Sequence, residues 1–233
     1  MKIQIIRPKV DKKAFVRDAI VGSFLGMLVL SFGFVGLEPK LSIAIEDQFT
    51  ITQIVTSEIS FAVGATDVVM TPQLGGITGG TSNGTSTVIV LTNNTTGYTM
   101  TIVASSAPAM KGFSGASEIP DYTPANSSIP DFAYSVPTGY EFGYTVGAST
   151  TADLAQKFKD DGAVCNAGSA DTATVATCWY GLSTTATSTI LRTTQTPGSG
   201  STSSIYFKVT INSGSNVLED TYKATTTLTA TTN

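Results

Sequence analysis

Apolar residues recur at every second position along most of this chain, and that period decides what it can fold into. Ile205, Phe207, Val209 and Ile211 alternate with Tyr206, Lys208 and Thr210. Ile59, Phe61 and Val63 alternate with Ser60 and Ala62, and Tyr98, Met100 and Ile102 with Thr99 and Thr101. Tyr140, Phe142, Tyr144 and Val146 repeat the pattern, as do Tyr222, Ala224, Thr226, Leu228 and Ala230. A period of two puts one set of side chains on each face of a strand. Thr, abundant between them, suits strands because its β-branch packs on a pleated surface. The chain therefore predicts an all-β, antiparallel β-sandwich, Ig-like or jelly-roll-like, over residues 46–233.

The turn residues suggest how the strands connect. Residues 86–92 hold a continuous apolar run, and Asn93-Asn94-Thr95-Thr96-Gly97 separates them from Tyr98. This reads as a hairpin. Phe132, Tyr134 and Val136, then Pro137-Thr138-Gly139, then Tyr140 onward read as a second hairpin with an aromatic face. Residues 74–85 are glycine-rich and read as loop. They lack the Lys-Ser or Lys-Thr and the following helix of a phosphate cradle. Residues 104–131 read as a long irregular segment. One short helix is expected over 150–161, where Thr151 can cap, Leu154 and Phe158 lie four apart, and Gly162 stops it.

A different pattern precedes the strands. Residues 19–37 are apolar and carry no charge, enough for a helix of about 28 Å against a hydrocarbon core of about 30 Å. Lys2, Arg7, Lys9, Lys12, Lys13 and Arg17 come before it. This predicts a cytoplasmic N-terminus and an exported body. Residues 1–45 fit a cleaved signal peptide, with Ser42-Ile43-Ala44 as a small-x-small site, or an uncleaved membrane anchor. A third reading is a type IV pilin leader, with Ala14-Phe15 after Lys12-Lys13. Asp18 lies one residue early for that reading and is not Glu.

Charge and composition narrow the function. The chain has 13 basic and 17 acidic residues. Seven of the basic ones lie at or before Lys40, with Asp11, Asp18 and Glu38, so the body keeps six against fourteen, a net charge of −8. That argues against nucleic acid and against anionic lipid as partners. Membrane contact is expected only through the N-terminal segment. There is no His, which excludes Ser-His-Asp and Cys-His catalysis. With two Cys, the usual zinc sites are excluded as well. Cys165 and Cys178 read as one disulfide in an exported chain.

The remaining candidates are side-chain groups without a diagnostic motif. Tyr134, Tyr140 and Tyr144 sit in the aromatic stretch and are candidates for stacking on sugar rings. Glu118, Asp121 and Asp131 are candidate calcium ligands, in the absence of EF-hand spacing. Glu118, Glu141 and Asp131 are the acids a glycosidase would need to pair. Asp47, Phe49, Ile51 and Ile54 form a candidate donor strand that could complete a neighbouring subunit's sheet. No cofactor is expected.

Two stretches carry a likeness. The run Val88-Ile89-Val90-Leu91-Thr92-Asn93-Asn94-Thr95-Thr96-Gly97-Tyr98-Thr99-Met100-Thr101-Ile102 resembles the strand–turn–strand unit of bacterial exported surface β-sandwich proteins. The ending Asp220-Thr221-Tyr222-Lys223-Ala224-Thr225-Thr226-Thr227-Leu228 looks like their final strand. A weaker similarity, in layout alone, links the chain to camelysin-type filament subunits. The resemblance implies an extracellular or cell-surface location. The expected function is a structural or adhesive surface protein, with self-association into a pilus-like filament or contact with surface proteins. A carbohydrate-binding surface module is the alternative, and no enzymatic activity is expected.

Overall fold

The computed structural model describes residues 46–171 and 176–233. The expectations for residues 1–45 lie outside them. Contacts divide the chain at Gln53. The described part of the first unit, 46–53, is exposed and has no regular secondary structure.

The second unit is an antiparallel β-sandwich. In chain order its strands are β1 (Ile59–Val63), β2 (Gly80–Thr92), β3 (Tyr98–Ala104), β4 (Met110–Gly112) and β5 (Glu118–Ile119). They continue with β6 (Tyr140–Ala148), β7 (Thr187–Arg192), β8 (Ser201–Ile211), β9 (Tyr222–Ala224) and β10 (Thr226–Thr232). One sheet has the order β1-β2-β8-β6 and the facing sheet β10-β3-β7. A small third sheet, β5-β4-β9, extends one end.

Alternation decides which side chains meet. In β3, Tyr98, Met100, Ile102 and Ala104 point inward and the residues between them are half-exposed. β2 contributes Val88 and Val90, β8 contributes Ile205, Val209 and Ile211, and β7 contributes Ile190 to the same core. β6 is buried on both faces. Phe142, Tyr144 and Val146 enter the inter-sheet core. The opposite face of β6 lies under an outer cover formed by segments around Tyr122, Tyr134 and Trp179.

Several expected connections differ. The turn at 93–97 does not close a hairpin: β2 pairs with β1 and β8, whereas β3 pairs with β10 and β7. The turn carries the chain from one sheet to the other. The second expected hairpin is also absent. Residues 132–136 form no strand, and β6 pairs with β8, Tyr144 opposite Phe207. The glycine-rich stretch becomes strand at Gly80, which pairs with Ile211. The expected helix over 150–161 is two 3-10 turns, Thr151–Asp153 and Gln156–Phe158. The edge of β7 claims the backbone between them: the Ala155 N–H donates to the Thr189 carbonyl at 2.9 Å. Leu154 and Phe158 are nevertheless both buried, as their spacing requires.

Candidate functional site

The two seams of the sandwich differ. On the β6/β7 side, irregular segments cap the strand edges. Tyr144 and Tyr180 exchange backbone hydrogen bonds at 2.9 Å, the Tyr122 N–H donates to the Phe142 carbonyl, and the Phe142 N–H donates to the Pro120 carbonyl. Ala155 caps β7. On the other side β1 and β10 lie next to each other. Among the described residues, β1 pairs only with β2 and β10 only with β3. Among the described residues, the outer edges of both strands therefore have no ladder partner, and such an edge is the usual template for strand addition.

The side chains along this bare seam are incompletely covered. Phe61, opposite Val90, is 38% exposed, and Val63 is 43% exposed. Leu228 and Ala230 of β10 pack on the core but are only half-buried. Upstream of β1, the candidate donor residues Asp47, Phe49, Ile51 and Ile54 are all exposed, Phe49 by 82% and Ile51 by 84%. They form no regular secondary structure. Between them and β1, Asn93 acts as a clip. Its Oδ1 accepts from the Glu58 N–H at 2.7 Å, and its Nδ2 donates to the Thr56 carbonyl at 2.9 Å. The Thr92 hydroxyl donates to the Glu58 carbonyl at 2.6 Å. These bonds tie residues 56–58 to the end of β2.

The three candidate tyrosines are not brought together on a surface. Tyr144 is fully buried, its ring 5.7 Å from Phe158, and offers no face for stacking. Tyr140 is half-buried against the main core. Tyr134 is part of the outer cover. It stacks on Tyr122 at 4.6 Å and meets Trp179 edge-on at 5.2 Å. The Lys208 Nζ sits 4.3 Å from the Trp179 ring centre and 5.3 Å from that of Tyr134, a cation–π arrangement. Burial lowers the Lys208 pKa. Gly143 makes this packing possible, because a Cβ there would stand 2.8 Å from Tyr122 and 2.9 Å from Tyr134. The sequence signal for the cluster is Gly143, set between Phe142 and Tyr144 inside a strand, since a strand glycine marks close approach.

The candidate acids are dispersed over separate partners. Asp131 accepts from the Tyr122 hydroxyl at 2.7 Å and from the Ala125 N–H. Glu118 pairs with Lys111. Asp121 accepts from the Ala109 N–H at 3.0 Å, and its pKa is raised by burial. The Glu141 pKa is also raised, chiefly by burial, with the nearby Asp131 adding to the effect and the Thr123 N–H opposing it. Glu118, Asp121 and Asp131 thus have separate partners, and no group of three potential ligands exists among the described residues.

Cys165 and Cys178 form the disulfide, with Cα atoms 5.5 Å apart. The loop it closes wraps a buried carboxylate, Asp160, which accepts from the Gly162 N–H at 2.7 Å and the Thr177 hydroxyl at 3.4 Å. The Thr145 hydroxyl of β6 donates to the Thr177 carbonyl. Through Thr177 and Cys178 the bridge therefore holds Trp179 over the sheet. No family model matches this chain, and comparisons with curated proteins and with solved structures return no match.

Proposed function

We propose that the protein is an exported structural subunit of the cell surface, one of the bacterial surface β-sandwich proteins it resembles, and that copies join by strand addition. In this reading the stretch from Asp47 to Val55 of one copy lies along the β1/β10 seam of the next. The observation that carries it is the asymmetry of the sandwich among the described residues, one seam capped by backbone bonds and the other without a ladder partner. Exposed Phe49 and Ile51 supply the matching apolar side chains. Burying each contributes about 1.5–3 kcal/mol, and the ladder hydrogen bonds add register. The disulfide and the acidic body agree with a protein that works outside the cell. Its surface acts by contact, with no catalytic step assigned.

Electron microscopy and sedimentation of the natively secreted protein test this. Filaments or concentration-dependent oligomers are expected. The double substitution Phe49→Ser, Ile51→Ser should leave monomers with an unchanged melting temperature. Monomers alone at high concentration of the unmodified protein would overturn the reading.

A further inference from the structure

A second feature lies on the outer face of the sheet, across β2 and β8 from the bare edge of β1. Where β6 and β8 run past the outer cover, they leave an open cleft of about 330 Å³. That is the lower end of the range for ligand sites, about 300–1,000 Å³. Gly147, Ser149, Thr202, Ser204, Tyr206 and Asp171 line it. The pairing of Gly147 with Ser204 places these small residues side by side, and the Ser149 N–H donates to the Thr202 carbonyl at 2.9 Å across the two strands. The Tyr206 ring lies down on Gly147, where a Cβ would stand only 3.2 Å from its Cε2. The ring is half-buried: it packs on the Tyr122–Trp179 cluster and also lines the cleft.

We infer that this cleft is a subsite for one neutral sugar residue of a glycan, with Tyr206 as its platform and the Ser149, Thr202 and Ser204 hydroxyls as its polar contacts. The chemistry of the walls selects that class. Pyranose rings present C–H groups that pack on an aromatic face and hydroxyls that both donate and accept. Serine and threonine hydroxyls match both roles. The described lining contains no Lys or Arg to pair with an anion. Phosphates, sulfated sugars and uronic acids are therefore disfavoured. The site replaces Tyr134, Tyr140 and Tyr144 as the place where a glycan would sit. It is independent of strand addition, since β1 and β6 are opposite edges of one sheet.

The test is NMR titration of the full-length protein in detergent micelles with N-acetylglucosamine and with glucose, each to about 50 mM. Glucuronic acid serves as the charged probe. Amide shifts at Gly147, Ser149, Thr202 and Ser204 are expected with millimolar affinity for at least one neutral sugar. Ser204→Arg, on the outer face, should abolish them by filling the cleft, and Tyr206→Ala should weaken binding about tenfold. Both variants should keep the amide pattern of the inward-facing strands; if Ser204→Arg loses it, Tyr206→Ala carries the comparison. Shifts absent with both neutral sugars, shifts that persist unchanged in the folded variants, or equal binding of glucuronic acid would overturn the assignment. A filament that forms normally while the cleft stays silent would separate this failure from one of strand addition.

Discussion

Removing the disulfide should loosen the outer cover before it unfolds the sandwich. The perturbation is the double substitution Cys165→Ala, Cys178→Ala, with reduction of the native protein as a second route. The bridge spans a sequence separation of 13, and the chain-entropy model gives a loop of that size about 3 kcal/mol of stabilisation. With an urea dependence near 2 kcal/mol per molar, the midpoint falls by about 1.5 M. The structure also says where the loss begins. Cys178 lies between Thr177, bonded to Thr145 of β6, and Trp179, packed on Tyr134 and under Lys208. Trp179 is the chain's single tryptophan. Its fluorescence therefore reports the cover alone, while far-ultraviolet circular dichroism reports the strands. In the bridged protein the two signals should change together; in the double variant fluorescence should red-shift at lower urea. Coincident transitions in the variant, or a midpoint moved by less than about 0.3 M, would refute the account of the bridge as the anchor of the cover.

Tyr98→Phe should change stability by less than about 1 kcal/mol, because the buried Tyr98 hydroxyl forms no well-shaped hydrogen bond, only weak contacts with the Ser201 and Ser203 hydroxyls, so its loss removes a poorly compensated polar group. Thr145→Val, which deletes the bond to the Thr177 carbonyl, should instead cost about 1–2 kcal/mol; equal urea midpoints for the two would contradict this. Asp153→Ala leaves the Arg192 guanidinium, whose side chain is only 12% exposed, with the Thr194 and Gln195 carbonyls as acceptors. A loss of about 1–3 kcal/mol is expected in chemical denaturation. The Ser114 and Ser117 hydroxyls and the Thr221 N–H hold the Asp220 pKa down to about 2 from an ordinary 3.8. Because the folded value is the lower one, the folded state binds fewer protons in that window. The contribution is complete above pH 3.8 and disappears as pH falls through about 2. Hydrogen exchange in β4 and β9 should accelerate over that acid range in the native protein, and Asp220→Asn should remove the acid-dependent part.

The strands were legible in the sequence because alternation is a local property, and their partners were not because pairing is not local. Ile205 to Ile211 alternates as expected, yet nothing in it says that β2 lies on one side and β6 on the other. The turn at 93–97 shows the limit well. Its Asn and Gly residues do mark a reversal, but the Asn93 side chain is spent on Thr56 and Glu58, and the chain leaves for the facing sheet. At 150–161 the spacing of Leu154 and Phe158 correctly marked two buried side chains. It could not reveal that β7 would take the intervening N–H. The disulfide was readable from two cysteines. For Tyr140 and Tyr144 the sequence leaves packing and stacking open, because a strand buried on both faces looks, in sequence, like one with an open aromatic face. Nothing in the alternation around Tyr206 marks it out, since the cleft it lines depends on Gly147 in another strand.

The topology also sets when this protein can exist at all. Within the two large sheets, the strands closest in sequence to pair are β1 and β2, where Val63 meets Ile89. β8 is an interior strand of one sheet and β10 flanks β3 in the other. β6 therefore finds its ladder partner, and β2 its second, only once residues 201–211 are present, and β10 closes the facing sheet last. High contact order of this kind slows folding. Both large sheets are completed by β8 and β10, which lie more than 100 residues away in sequence from their partners β2 and β3.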